Sequence, residues 1–331
     1  AAAFTIDNAT TGVSVHPDVV YRATGDKWCV VWTESATPGS GLGLVAELLG
    51  TDGTVVRDDI VLQDTSAELR RADLTYNATR DEFWVAYEDA TSGDILAFAF
   101  DGGVTGLATP VVTVSSATGL QQRPATAWNS VDNDYMVVYE TEEITTGEDD
   151  VYGRRFEPLD GTAQGAAFAI AGLTQQNQEP DISFSPHTTT YHVAWHWKSS
   201  TSAFDVRAQE VGPTGSVLGS WFNVSAAADT AVEEAFPALA YGSTMLEYVC
   251  VWQDKRAATL DIWGQRIEPN PPIIQQEPVN NPIRLGGRGK WFDETRRYDE
   301  PVPPAAWEEA LKTGLYVLDN HGRLLPAVRD T

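Results

Sequence analysis

Apolar residues along this chain come in short runs rich in β-branched and aromatic side chains, broken at close intervals by Gly, Asn, Asp and Pro. One tract shows the pattern: Ala72-Asp73-Leu74-Thr75-Tyr76, Phe83-Trp84-Val85-Ala86-Tyr87, Asp94-Ile95-Leu96-Ala97-Phe98 and Val111-Val112-Thr113-Val114, with Asp101-Gly102-Gly103 among the breaks. Runs of this length and composition predict strands joined by turns. No helical period appears before the C-terminal region.

The strand pattern repeats. Aromatic anchors stand at Trp32, Tyr87, Tyr139, Trp195 and Trp252, at intervals of 55, 52, 56 and 57 residues. A proline lies 15 residues before four of them (Pro17, Pro124, Pro180, Pro237), and Ala72 holds that place in the second unit. A four-stranded unit has two apolar faces and can bury them only against neighbouring units, so this period predicts an all-β fold, a five-bladed β-propeller over residues 1–268. The fifth unit runs into Pro269-Asn270-Pro271-Pro272 where its fourth strand is due, while Phe4-Thr5-Ile6-Asp7 reads as a fourth strand lacking the preceding three. The N-terminal strand is therefore expected to complete the last blade and remove its open edges.

The repeated string is seen best in Phe236-Pro237-Ala238-Leu239-Ala240-Tyr241, Tyr248-Val249-Cys250-Val251-Trp252 and Asp261-Ile262-Trp263-Gly264-Gln265-Arg266-Ile267. It resembles β-propeller repeats of secreted and surface proteins of microbes. The resemblance implies a scaffold used for binding. In the architectural sense its five-bladed relatives include sugar-binding lectins and glycoside hydrolases with catalytic carboxylates in the central funnel, and the fold alone does not choose among them.

Charge narrows the partners. With 22 Lys plus Arg against 47 Asp plus Glu, the formal net charge is −25. Such a surface repels nucleic-acid phosphates and anionic membranes, and suits an extracellular or surface-exposed protein. No apolar run is long enough for a membrane-spanning helix. Cys29 and Cys250 lie on the second strands of the first and last units, but at opposite parity to their anchors, so they read as two small buried hydrophobes rather than a disulfide. Asn8, Asn77 and Asn223 stand in short glycosylation-type motifs that are weak signals.

Candidate chemistry falls in two places. Asp18, Asp73 and Asp181 hold the position after the proline or its substitute, where Ala125 and Ala238 stand in the other units, and are expected to line the axial funnel. Acids on different blades can supply the proton donor and base of a glycosidase, although carboxylates at strand starts also accept backbone N–H bonds, and this structural use is the preferred reading. The glutamate and aromatic platforms usual in propeller hydrolases cannot be placed from the repeat. The second place is the acidic segment around Glu148, Asp149 and Asp150, a candidate for calcium through oxygen ligands; it lacks a ligand spacing, and a solvated charge run is preferred. No other cofactor is expected. The histidines show no zinc-like pairing, His192 and His196 falling on a strand and its following loop.

Beyond the repeats, residues 269–290 read as a Pro/Asn/Gly-rich linker and 291–331 as a C-terminal docking arm. Arg288, Lys290, Arg296 and Arg297 reverse the local charge beside Trp291, Phe292, Tyr298 and Trp307. Pro303 to Gly314 reads as a short helix, and Asp319-Asn320-His321-Gly322 as the turn of a hairpin. An arm rich in arginine and aromatic residues suits a protein interface. The preferred function is accordingly a noncatalytic structural or interaction protein, not an enzyme: a surface-displayed propeller anchored by the arm to a virion, filament or cell envelope. The alternative is a carbohydrate-binding lectin or a glycoside hydrolase using the funnel.

Overall fold

The structure, a computed structural model, describes residues 4–6, 13–35, 43–64, 67–143, 148–172, 176–198, 204–225, 234–255, 260–268, 316–318 and 324–326. The chain divides into two units, Ala1–Pro272 and Ile273–Thr331. The first is a five-bladed propeller of antiparallel sheets, each a simple meander. Blade one contains β1 (Val13–Arg22), β2 (Lys27–Ser35), β3 (Gly43–Gly50) and β4 (Val55–Gln63). Blade two contains β5 (Leu69–Asn77), β6 (Glu82–Asp89), β7 (Asp94–Asp101) and β8 (Val112–Ser115). Blade three follows with β9 (Gln121–Asn129), β10 (Asp134–Glu143), β11 (Glu148–Phe156) and β12 (Phe168–Ala171). Blade four has β13 (Gln176–Ser185), β14 (Thr190–Lys198), β15 (Phe204–Val211) and β16 (Val217–Asn223), and blade five β17 (Glu234–Gly242), β18 (Glu247–Asp254) and β19 (Asp261–Ile267).

The innermost strands β1, β5, β9, β13 and β17 stand side by side in chain order around the axis. In blades one to four the second strand is packed on both faces, and in β6 every residue from Glu82 to Glu88 is buried; in β18 of blade five Val249 and Val251 are exposed. All five anchors are buried. Between blades two and three the Trp84 indole stacks on Tyr135 with centroids 4.7 Å apart. Four residues before the anchors, Tyr135, Tyr191 and Tyr248 each donate a hydroxyl hydrogen bond to the preceding blade, to Glu82 at 2.9 Å, Asp134 at 3.2 Å and the Thr190 carbonyl at 3.1 Å. A large ring thus fills each junction while its one polar atom is satisfied, the requirement for burying tyrosine.

Blade five has three strands among the described residues. The N-terminal segment is described from Phe4 to Ile6 and lies against blade one: the Phe4 ring covers Gly53, and Ile6 packs on Val30, Trp32, Val45 and Leu49. Cys29 and Cys250 are free, buried thiols in two separate clusters, one shared by blades one and two, the other by blades four and five. In the second unit β20 (Tyr316–Leu318) and β21 (Leu324–Pro326) pair antiparallel, while the residues read as the turn between them lie outside the described residues. The helix read over 303–314, and the docking residues Arg288, Lys290, Trp291, Phe292, Arg296, Arg297, Tyr298 and Trp307, lie outside the described residues. Among the described residues no helix is long and apolar enough to cross a membrane.

Candidate functional site

Each innermost strand is broken at the same point by a β-bulge. Register slips between Val15 and Asp18, Arg70 and Asp73, Gln178 and Asp181, and Ala235 and Ala238, while in blade three the slip on the partner strand lies between Val138 and Glu140. At each bulge a non-glycine residue takes a left-handed backbone: His16 (φ 54°), Arg71 (45°), Arg123 (50°), Glu179 (53°) and Phe236 (56°). Such a conformation costs on the order of 1–3 kcal/mol and persists only where the surroundings impose it. Here the bulge turns five side chains of four types toward one axial cavity of about 450 Å³, which Asp18, Asp73 and Asp181 also line.

What holds the bulges is a hydrogen-bond relay around the ring. The residue after the anchor accepts from the bulge backbone of the next blade: Glu88 Oε1 from the Arg123 N–H at 2.7 Å, Glu140 Oε2 from the Glu179 N–H at 3.1 Å, and His196 Nδ1 from the Phe236 N–H at 3.5 Å. The bulge arginines complete the relay. Arg71 reaches Glu88 at 2.9 Å, and Arg123 reaches Glu140 at 2.7 Å and Glu179 at 2.6 Å. Burial pushes the Glu140 carboxyl up to about 7 despite the Arg123 guanidinium beside it, and raises Glu179 for the same reason. Burial brings His196 down to about 4, so its ring is neutral and can accept that N–H.

The three aspartates form a second tier of ties. Asp18 Oδ2 accepts from the Leu74 N–H at 2.7 Å, Asp73 Oδ2 from Thr126 at 2.7 Å and Asp181 Oδ2 from Leu239 at 2.5 Å, each in the following blade. Their half-buried carboxyls feel one another as well as the loss of water. Asp18 is raised chiefly by burial. Asp73 is pushed well up by burial and then by the charges of Asp18 and Asp181. Burial carries Asp181 up to about 6 against its two backbone hydrogen bonds. Carboxyls from three blades therefore face one cavity with proton affinities spread upward from the ordinary range.

Other sequence candidates lie elsewhere. Glu148, Asp149 and Asp150 begin β11, paired with Glu143, Glu142 and Thr141 of β10; Asp149 takes a hydrogen bond from the Gln178 amide. Among the described residues no group of three or more His, Cys, Asp or Glu side chains is arranged to hold a metal ion. His196, expected on a loop, lies with His192 on β14, both buried on the blade-five side; His192 packs 4.3 Å from the Tyr248 ring. Asn77 is fully buried and bonded to the Tyr135 hydroxyl at 2.9 Å, a structural use of that motif.

Glu179 and Phe236, which the repeat did not single out, are brought to the funnel by the bulges. Their signal lay in the position before the proline or its substitute, where His16, Arg71, Arg123, Glu179 and Phe236 give four residue types in five units, and in the residue after the anchor, polar in every unit: Thr33, Glu88, Glu140, His196 and Gln253.

No family model matches the chain, and no curated protein matches it. Solved structures do. An endo-arabinase from Bacteroides thetaiotaomicron VPI-5482 superposes with a TM-score of 0.50 at 10% identity, covering 81% of this chain and 99% of that one. A thermostable family-43 glycoside hydrolase gives 0.46 at 12% identity, covering 81% and 98%. The catalytic domain of a GH62 alpha-L-arabinofuranosidase from Coprinopsis cinerea gives 0.46 at 11% identity, covering 80% and 93%. At such identities the likeness shows the fold: this is a five-bladed β-propeller. The expectation of a noncatalytic display protein is corrected by the same finding. The solved propeller with a TM-score of 0.50 is an endo-arabinase, which backs the glycoside-hydrolase alternative better than the display role.

Proposed function

We propose that the chain is a carbohydrate-active enzyme, a glycoside hydrolase whose acid and base lie among the funnel aspartates. The observation that carries the reading is the convergence of Asp18, Asp73 and Asp181 on one cavity, with burial and mutual charge driving their proton affinities upward. Hydrolysis of a glycosidic bond needs one carboxyl that is still protonated near neutral pH and another that is ionised. Asp73, most strongly raised, fills the first role; Thr126 occupies its Oδ2, and Oδ1 is left to carry the proton. Asp181, at about 6, is largely ionised at pH 7 and fills the second.

In the step itself Asp73 gives its proton to the leaving oxygen as the bond from that oxygen to the anomeric carbon breaks. Asp181 takes a proton from the water that attacks the same carbon. The products are a free sugar end and an alcohol, with one proton passed in and one passed out. Glu179, held on Arg123 at 2.6 Å, adds a carboxyl to the cavity wall, and Phe236 an apolar wall. Pentose-containing substrates are the first to try, because an endo-arabinase shares the fold. The acidic surface, at −25, suits work outside the cell.

The test is turnover of nitrophenyl arabinofuranoside and xylopyranoside, of arabinan and of xylan. The wild-type chain is expected to release sugar, and Asp73→Asn and Asp181→Asn to lower kcat by about 10²- to 10⁴-fold with unchanged circular dichroism. Wild-type turnover that survives both substitutions would remove the proposed acid and base; no turnover on any of the four would remove the hydrolase reading.

A further inference from the structure

Away from the funnel, the cleft between blades three and four holds an arginine in an unusual setting. The Arg207 guanidinium on β15 is sandwiched between two indoles, 3.3 Å from the ring centroid of Trp197 on β14 and 3.7 Å from that of Trp221 on β16. Stacking on both faces is where a guanidinium gains most from aromatic neighbours. It also leaves hydrogen bonding to the edge of the fork. One edge position is taken by Asn223, whose Oδ1 accepts from Nε at 3.3 Å.

Arg207 differs from most arginines of the inner strands and blade junctions, although Arg57 and Arg154 bond backbone carbonyls, of Gly103 at 3.2 Å and Val114 at 2.8 Å, rather than carboxylates. Arg22, Arg71, Arg80, Arg123 and Arg155 each hold a carboxylate. Among the described residues Arg207 makes no such ion pair, in a chain with 47 acidic residues. Burial pulls its proton affinity down to about 10, with the charge of Asp205 opposing. The guanidinium also lines a cavity of about 480 Å³, with Asn177, Trp195, Trp197 and Trp221 around it and the end of β12 closing the other side. The wall is rigid: Trp195 is buried and its Nε1–H is fixed on Asn177 Oδ1 at 2.9 Å. Trp221 is 49% exposed, so the face turned from Arg207 is open.

We propose that this cleft binds a saccharide bearing a carboxylate, a uronate-containing chain. The ligand carboxylate takes the open edge of the Arg207 fork, a planar match of two N–H groups to two oxygens. The sugar ring lies on the open face of Trp221, its C–H groups against the negative face of the indole. A neutral sugar would use the indole but leave the guanidinium edge without its partner. A free inorganic anion would use the guanidinium but leave the indoles and most of the cavity empty. Registers Asn177↔Trp197 and Arg207↔Asn223 place the cleft at the end of the blade where β13 begins, the end that also carries the Glu179 bulge. The inference does not depend on hydrolysis in the funnel.

The experiment is calorimetric titration of the full chain at 0.15 M salt, where the long-range field of the protein is damped. The probes are trigalacturonate, its methyl ester and galactotriose. Trigalacturonate is expected to bind; esterification, which keeps the sugar and hides the charge, should weaken binding about 10-fold or more. Arg207→Lys should weaken it by a similar factor because a lysine cannot present the fork, and Trp221→Ala by about 10-fold through loss of the stacking face. Both variants are checked for an unchanged melting transition. Equal binding of acid, ester and neutral trisaccharide would overturn carboxylate recognition. Undetectable binding of all three, or trigalacturonate binding unmoved by both substitutions, would overturn the site.

Discussion

The junction between blades two and three and the two faces that blades five and one present are the same repeat in different situations. Four residues before the anchors, Phe83, Tyr135, Tyr191 and Tyr248 are fully buried, whereas Trp28 in blade one is 40% exposed. One residue before the anchors, Val31, Ala86, Val138 and Ala194 are buried, but Val251 in blade five is exposed. The side chains are interchangeable in type, so their burial is set by the neighbouring blade and not by the blade that carries them. A propeller blade is thus half of an interface, and its stability is a nearest-neighbour quantity.

The largest effect should come from opening a filled junction. Trp84 is fully buried against Tyr135 and Phe156, and Trp84→Ala is expected to destabilise by about 3–5 kcal/mol, read from the denaturant midpoint at constant slope. Trp28→Ala, at a partly exposed site, should cost about 1 kcal/mol or less. Comparable losses at the two positions would break the comparison, because they would mean that Trp28 is covered in solution.

A second effect sharpens the comparison at the junction of blades four and five, where Asp181 ties Leu239. Its carboxyl stands at about 6 in the fold, against an ordinary value of 3.8. Between those values the folded chain binds more protons than the unfolded chain, so stability falls as pH rises from about 4 to about 6 and levels off above. The contribution is at most about 3 kcal/mol, since each tenfold change in proton affinity is worth about 1.4 kcal/mol. Asp181→Asn removes the titration while keeping an acceptor for Leu239. The difference in stability between pH 4 and pH 7 should therefore shrink in that variant. An unchanged difference would place the titrating charge elsewhere, Glu140 at about 7 being the next candidate.

Much of this architecture was legible because aromatic anchors at intervals of 52 to 57 residues are a long-range signal that local turns cannot imitate. The offset to the proline also located Asp18, Asp73 and Asp181 at the funnel. The bulges were not legible, because nothing in the types His16, Arg71, Arg123, Glu179 and Phe236 announces a left-handed backbone; at Arg123, Glu179 and Phe236 the backbone N–H finds its acceptor on the preceding blade. The proline itself misled. It reads as the start of a strand, whereas β9 begins at Gln121 and β13 at Gln176, before Pro124 and Pro180, and both continue through the bulge. The Arg207 cleft was hidden for a related reason. Trp197, Arg207 and Trp221 meet only when the meander brings three strands together, and none of them recurs from unit to unit.

The smallest expected effect is the most direct check on the outer face of blade five. Val251 lies on the exposed face of β18, and Ile262 on β19 is 73% exposed. With no blade packed on either among the described residues, Val251→Thr and Ile262→Thr should each change stability by no more than about 0.5 kcal/mol. Val138→Thr, at the matching site under blade four, puts a hydroxyl into a sealed apolar cluster of Ala125, Ile182 and Val193 and should cost about 1–3 kcal/mol. The contrast tests the neighbour rather than the residue, since the same two side chains are exchanged at repeat-equivalent positions. A cost at Val251 equal to that at Val138 would show that the fifth blade carries a packed face in solution, with blade one and the Phe4–Ile6 segment the surface of matching pattern.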